Sequence, residues 1–153
     1  MIKVIQGDLL EGEVNIIAHQ VNCMGVFGAG LAKQIAKKYP EAKKDYIDYC
    51  KNKGQHNLLG DVLITEVEKY KITNLFSQKY YGRYGEYYKK YRRQTNYVAL
   101  EKTLEELKRR YPDTKIGLPY KIGCGLAGGD WGIVYNIIDK VFKDSIVYLY
   151  KIE

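Results

Sequence analysis

The stretch NIIAHQVNCMGVFGAGL at residues 15–31 decides the fold, because it joins the end of one element to the start of the next. Residues 15–21 are mostly apolar and β-branched, which predicts a buried strand. Residues 22–30 contain three glycines and predict a loop, and a helix is predicted from Leu31 to Tyr39. A buried strand that passes through a short loop into a helix is the repeating unit of an α/β fold.

A second glycine-rich loop, GCGLAGG at residues 123–129, has the same setting. It follows a short predicted strand at residues 115–118 and precedes Asp130, which can cap the next helix by accepting backbone hydrogen bonds. Apolar residues recur at helical spacing in that helix, and they predict a buried face formed by Ile133, Ile137, Val141 and Phe142.

The rest of the chain continues this alternation of strands and helices. Further strands are predicted at residues 2–6, 61–66, 70–76 and 146–150, and further helices at residues 40–51 and 97–111. Because the two middle strands have no helix between them, the pattern predicts a mixed central sheet with helices on both faces. We therefore expect a three-layer α/β/α fold and a single domain that covers residues 1–153.

Composition and charge exclude several classes of protein. No apolar run approaches the ~20 residues that a membrane-spanning helix needs, and we see no secretion signal, so we expect a cytoplasmic protein. The three cysteines lack paired spacing, which argues against a disulfide framework and a zinc site. We expect no metal, no cofactor and a monomer.

The formal net charge of +7 suits binding of a polyanion or of a pyrophosphate-bearing small molecule, and it does not distinguish between these two ligands.

Both glycine-rich loops connect a strand to a helix, at the edge where open α/β sheets bind ligands. Glycine lets the backbone approach a ligand, and successive amides beside a helix N-terminus can bind an anion. Neither loop has the ending of a Walker P-loop or the dinucleotide fingerprint after the first strand. The residues alone therefore predict a phosphorylated, nucleotide-like ligand, with two plain tight turns as the alternative.

Three stretches of the chain resemble the macrodomain family, and the resemblance covers nearly the whole chain. They are GDL at residues 7–9, HQVNCMGVFGAGLA at residues 19–32 and IGCGLAGGDW at residues 122–131. This combination is far more specific than either glycine-rich loop alone. The resemblance implies a macrodomain fold whose two loops hold ADP-ribose or a derivative of it.

Two branches of the family are the most similar. His19, Asn22 and the stretch YPEAKKDY at residues 39–46 resemble the yeast-type ADP-ribose 1''-phosphate phosphatases. Residues 122–126 and Trp131 resemble the terminal ADP-ribose protein glycohydrolases. Both branches imply a hydrolase that acts at the distal ribose.

The resemblance also implies which residues touch the ligand. Asp8 would accept a hydrogen bond from the adenine amino group, the backbone of Leu9 would face the base, and Tyr148 would lie against it. The two loops would wrap the distal ribose and the phosphates through Gly28, Ala29, Gly30 and Leu31, and through Gly123, Cys124, Gly125, Leu126, Ala127 and Gly128. A turn residue at Asp8 and a core residue at Tyr148 are the alternatives.

Three residues are candidates for catalysis by the same resemblance. Asn22 would contact the distal ribose, and His19 would lie near its 1'' substituent, where an imidazole can activate water or protonate a leaving group. Asp130 would orient His19 or position the water. The alternatives are structural: a strand-end histidine satisfied by the backbone, a loop asparagine and a helix cap.

The glycohydrolase branch also uses a lysine and an aspartate that this chain lacks at the matching positions. The lysine would fall near Gln78, with Lys79 one step away, and the aspartate would fall at Ala127. We therefore expect removal of phosphate from ADP-ribose 1''-phosphate. Removal of ADP-ribose from modified protein or nucleic acid is the first alternative, and a non-catalytic ADP-ribose reader is the second.

Residues 77–95 differ from the rest of the chain, because tyrosines alternate there with lysines and arginines and no period is visible. Aromatic rings among cations suit single-stranded nucleic acid, which they can bind by stacking and by phosphate attraction. A flap over a nucleotide-like ligand and a solvated loop are the other interpretations.

Overall fold

The computed structural model of the chain describes residues 1–81 and 93–152, so most of the tyrosine-rich segment, residues 82–92, lies outside the described residues. Its strands are β1 Ile2–Gln6, β2 Ile16–Asn22, β3 Val62–Val67, β4 Tyr70–Gln78, β5 Ile116–Pro119 and β6 Val147–Lys151. Its α-helices are α1 Gly30–Lys38, α2 Pro40–Lys53, α3 Tyr97–Arg110 and α4 Trp131–Val141. Short 3-10 turns form at Leu9–Glu11 and Gln55–Asn57. Within these residues, no helix is long and apolar enough to cross a membrane.

The strands of the described residues form one mixed sheet in the order β1-β6-β5-β2-β4-β3. Neighbouring strands are parallel except β3, which runs antiparallel to β4. The predicted mixed sheet is confirmed, and the antiparallel pair is the one without an intervening helix. Because parallel strands end at the same edge of a sheet, the carboxyl ends of β1, β6, β5, β2 and β4 lie together there.

Helices cover both faces of the sheet, which confirms the predicted three layers. Ile16 and Ala18 of β2 belong to a core shared with α3 and α4, whereas Ile17 and Val21 belong to a core shared with α1 and α2. Successive residues of a strand point to opposite faces, so β2 is buried on both sides. The loop that follows β2 therefore starts from the most enclosed strand of the molecule.

The buried face of α4 differs from the predicted one at Ile133, which is 45% exposed. The other three predicted residues are buried, and the helix also buries two residues that were not predicted: Ile137, Val141 and Phe142, with Val134 and Ile138. A helix turns once every 3.6 residues, so a face followed in steps of four residues drifts by about 40° per step. The observed set alternates steps of three and four residues and stays on one side of the helix.

Two alanine substitutions test this assignment of the α4 face. Ile138→Ala removes a fully buried side chain, so we expect the free energy of unfolding to fall by about 2–5 kcal/mol. The matched variant Ile133→Ala removes an exposed side chain and should cost less than about 1 kcal/mol. Urea unfolding followed by circular dichroism measures both, and equal losses would contradict the assignment.

Candidate functional site

A cavity of about 490 Å³ lies at the sheet edge where β2 and β5 end. Both glycine-rich loops line it, together with the ends of β2 and β4: the lining residues are 19–22, 26–32, Gln78, Tyr81, 119–123 and 125–127. Its volume is within the usual range for a site that binds a small organic molecule. The expectation that the two loops enclose one space is therefore met.

Asn22 organises the first loop from the end of β2. Its Oδ1 accepts hydrogen bonds from the amides of Met24 and Val26, at 2.9 and 3.3 Å, and from the hydroxyl of Tyr46, at 2.8 Å. Its Nδ2 donates to the carbonyl of Val26 at 2.7 Å. These contacts give Asn22 the structural role that was the alternative for it, although it also lines the cavity.

Helix α1 begins inside the wall of the cavity. Gly30, its first residue, has φ +56°, a conformation that favours glycine. Among the described residues, none accepts a hydrogen bond from the backbone amides of residues 28–32. The free amides of a first helical turn, together with the helix dipole, attract an anion.

The second loop is fastened to the residues that precede α3. The hydroxyl of Thr95 donates to the carbonyl of Gly123 at 2.6 Å, and the amides of Gln94 and Thr95 donate to the carbonyl of Ala127 at 2.8 and 3.2 Å. Between these two ties, the amides of residues 125–127 have no hydrogen-bond acceptor in the described part of the chain. A second set of backbone donors thus lines the same cavity.

Lys121 is the one lining side chain with a full charge at neutral pH, as far as the described residues go, since no aspartate or glutamate lines the cavity. Lys121 is exposed and has φ +61°, which is unusual for a residue other than glycine. One cation and two sets of amide donors make the cavity suited to an anionic ligand.

His19 lies against the cavity, although it is only 3% exposed. Its Nε2 is 2.6 Å from Oδ1 of Asn74, and its ring meets that of Phe27 edge to face at 5.6 Å. Burial lowers the pKa of the imidazole to about 4, against a smaller opposite effect of the Asn74 hydrogen bond. At neutral pH His19 is therefore neutral, so it can accept a proton but is not an imidazolium that donates one.

Asp130 does not orient His19, contrary to expectation. It lies just before α4, where Oδ1 accepts a hydrogen bond from the amide of Ile133 at 3.1 Å, and it does not line the cavity. The partner of His19 is Asn74. The capping role, which was the alternative for Asp130, accounts for its contacts.

The residues expected to bind adenine also lie outside the cavity lining. Asp8 caps the 3-10 turn and accepts a hydrogen bond from the amide of Leu10 at 2.9 Å. Leu9 is buried in the core on the α1–α2 side of the sheet, and Tyr148 packs half-buried against the same core. These contacts match the structural alternatives, the turn residue and the core residue.

Two residues of the second loop shape it without lining the cavity. Gly128 has φ +75°, which makes it a turn residue. Cys124 has a half-buried side chain, and burial raises the pKa of its thiol to about 11. A thiol with such a pKa is a poor nucleophile at neutral pH.

Several polar residues near the cavity were missed from the sequence. Nε2 of Gln20 donates to Oε1 of Gln78 and to the hydroxyl of Thr95, both at 2.9 Å, and Oε1 of Gln20 accepts from the hydroxyl of Ser77 at 2.7 Å. The available signal was β4 itself, YKITNLFSQ, whose polar residues interrupt an otherwise buried strand. Polar side chains in a buried strand are nearly always hydrogen-bonded, so they indicate partners nearby.

Gln78 and Lys79, at the end of β4, line two different surfaces. Gln78 lines the cavity, whereas Lys79 lines a neighbouring groove with Tyr80, its Nζ 5.7 Å from the centre of that ring. The cavity thus has glutamine, and not Lys79, at the position where the glycohydrolase branch would need a lysine.

A groove of about 560 Å³ lies elsewhere, between α2, β3 and α3. It is larger than the cavity, but charged side chains of both signs line it, including the paired Lys53 and Asp61 and the paired Glu106 and Arg109. Neither glycine-rich loop reaches it. We assign the functional site to the smaller cavity because its backbone donors have no hydrogen-bond acceptor in the described ranges, 1–81 and 93–152.

Several known proteins are similar to this chain in sequence or in structure. The sequence model of the Macro domain family matches residues 18–138. The ADP-ribose 1''-phosphate phosphatase of Lodderomyces elongisporus is 31% identical in an alignment of 155 positions, which covers 92% of each protein. The DNA ADP-ribosyl glycohydrolase of Thermus aquaticus is 27% identical over 94% of this chain and 38% of its own length. A solved structure from Bacteroides thetaiotaomicron, of unknown function, superposes with a TM-score of 0.85 at 28% identity, over 99% of this chain and 98% of that one.

The lowered pKa of His19 predicts how stability depends on pH. Because the folded pKa of about 4 lies below the ordinary value of 6.5, the unfolded chain binds more protons between these pH values. Relative to a His19→Gln variant, the wild type should lose up to about 3 kcal/mol of unfolding free energy as the pH falls from 7 to 4. Urea unfolding at a series of pH values measures the difference.

His56 provides the control for this prediction, because it is exposed in a 3-10 turn and is the other histidine of the chain. The His56→Gln variant should follow the wild type at every pH. Parallel stability curves for the wild type and His19→Gln would show that His19 titrates normally.

Proposed function

The chain belongs to the macrodomain family, and from this premise we propose that it binds ADP-ribose in the cavity and hydrolyses a group from C1'' of the distal ribose. We take that group to be the phosphate of ADP-ribose 1''-phosphate. The observation that carries the proposal is the pair of glycine-rich loops, whose amides, unpaired as far as the structure describes the chain, line one cavity together with His19. The phosphatase of Lodderomyces elongisporus, similar over 92% of its length, supports the choice of substrate.

The pyrophosphate would lie between the two loops. On one side the amides of residues 28–32 and the N-terminus of α1 would donate to phosphate oxygens, and on the other the amides of residues 125–127. Lys121 would add a charge at the rim. A lining without carboxylates in the described residues favours a ligand with two negative phosphates.

His19 would take the role of proton acceptor. Its neutral imidazole would accept a proton from a water molecule as that water attacks the phosphorus atom, and the bond between phosphorus and the C1'' oxygen would break. The products are ADP-ribose, which takes a proton from solvent on its leaving oxygen, and inorganic phosphate. The low pKa of His19 argues against the other role considered for it, protonation of the leaving group at neutral pH.

Removal of ADP-ribose from modified nucleic acid or protein is the second candidate. The relative from Thermus aquaticus named DNA ADP-ribosyl glycohydrolase favours it, as does the net charge of +7. By the family resemblance, the aspartate's position is Ala127 and the lysine's lies near Gln78, with Lys79 one step away, so this reaction would need another mechanism. A reader that binds ADP-ribose without turnover is the third candidate.

The cytoplasmic location and the monomeric state stay predictions.

Two measurements test the proposal. Calorimetry should detect binding of ADP-ribose to the wild type, and 31P NMR should detect inorganic phosphate released from ADP-ribose 1''-phosphate. His19→Gln should lower kcat by about 100-fold or more, while the dissociation constant for ADP-ribose changes less than about threefold. Binding without phosphate release would favour the reader or the glycohydrolase, and no binding at millimolar ADP-ribose would overturn all three candidates.

The charge at the rim gives a separate prediction. Lys121→Gln should weaken ADP-ribose binding by roughly 3–10-fold at low salt and should reduce its salt dependence, because one exposed cation contributes about 1 kcal/mol. Lys143→Gln is the matched control, since Lys143 is also exposed and does not line the cavity. Equal dissociation constants for the two variants would remove Lys121 from the site.

A further inference from the structure

Asn74 and His19 are direct neighbours across two parallel strands. The register of β2 and β4 pairs His19 with Asn74, and paired residues of adjacent strands project to the same face of the sheet. Their side chains meet at 2.6 Å, and Asn74 is fully buried. Asn74 therefore contacts His19, the candidate proton acceptor, from the protein interior, and it does not itself line the cavity.

The orientation of the Asn74 amide indicates which ring nitrogen of His19 carries the hydrogen. The atom that faces Nε2 is Oδ1, which can only accept, so in this orientation Nε2 of His19 is the donor. A neutral imidazole has one N–H, and His19 is neutral above its pKa of about 4. The lone pair that can take a proton from water is then on Nδ1.

The neutrality of the Asn74 amide matters as much as its geometry. A buried carboxylate at the same position would favour the charged imidazolium and would raise the pKa of His19. An amide holds the ring in place and leaves it neutral, so the lone pair is available throughout the neutral pH range. Nδ2 of Asn74 is buried and has no hydrogen-bond partner among the described residues, a cost that a native protein accepts only for a reason.

We propose that Asn74 is the positioning residue of the site: it holds His19 as the Nε2–H tautomer, with the Nδ1 lone pair left to accept a proton. Its effect on turnover rests on the proposed function, whereas its effect on the tautomer does not. In the opposite orientation of the amide, Nδ2 would donate to Nε2 and the hydrogen of His19 would move to Nδ1. The two arrangements differ in which ring nitrogen of His19 carries the hydrogen, and NMR can distinguish them.

The first experiment identifies the tautomer of His19 in the wild type. Long-range 1H–15N spectra distinguish the two nitrogens of each histidine, and the chain has two histidines, so exposed His56 serves as the internal reference. We expect protonated Nε2 and unprotonated Nδ1 for His19 at pH 7. A His19 ring protonated on Nδ1 would overturn the proposal.

The second experiment uses variants of β4 with the same spectra and with phosphate release. Asn74→Leu should lose the single tautomer and lower kcat at least about tenfold, with KM changed less than about threefold. Asn74→Asp should keep the Nε2–H tautomer and move the acidic limb of the pH profile of kcat to higher pH. Thr73→Val changes a fully buried neighbour whose hydroxyl donates to the carbonyl of Lys71, and it should match the wild type in both readouts.

The outcomes separate this proposal from the proposed function. If the wild type releases no phosphate but its spectra show the Nε2–H tautomer and its loss in Asn74→Leu, the positioning role stands and the reaction is wrong. If phosphate is released and Asn74→Leu keeps both the tautomer and kcat, the reaction stands and the positioning role is wrong. Asn74→Asp keeps the test valid should Asn74→Leu fail to fold.

Discussion

Parallel pairing of β2 with β4 and with β5 is the constraint on which the site depends. Strands that run in one direction deliver their carboxyl ends to one edge, and β2 ends there between its two partners. The loops after β2 and β5 are thereby brought to opposite sides of one cavity, although about 100 residues separate them in the chain. The same pairing sets His19 beside Asn74 and Gln20 beside the end of β4.

Local patterns in the sequence were sufficient for the elements and for the loops. Strand and helix periods, and glycines between them, are properties of neighbouring residues, so the α/β/α fold and the two sides of the cavity could be predicted. The contact of His19 with Asn74 spans 55 residues and depends on strand register, which no local pattern in β2 or β4 encodes. Asp130 and Asp8 had two interpretations each, because a carboxylate that caps a turn and one that meets a ligand look alike in sequence.

Under the proposed function, binding and chemistry have different physical foundations. Binding would rest on the backbone amides of residues 28–32 and 125–127, for which the described residues offer no acceptor. Chemistry would rest on the buried imidazole of His19, whose protonation state depends on burial and on the neighbouring amide of Asn74. A change of a single side chain in β4 could therefore alter the reaction while the ligand continued to bind.

The reliance on main-chain donors has a consequence for the evolution of the site. Peptide N–H groups have no titration near neutral pH and are retained in every substitution except proline. Apart from Asn22, whose side chain holds the first loop, and the left-handed Gly25, Gly30, Gly123 and Gly128, the side chains of both loops can therefore diverge without loss of the backbone donors. Distant homologues with little sequence identity in these loops can therefore bind the same ligand. Selection can then change the reaction on that ligand through the few side chains that line the cavity.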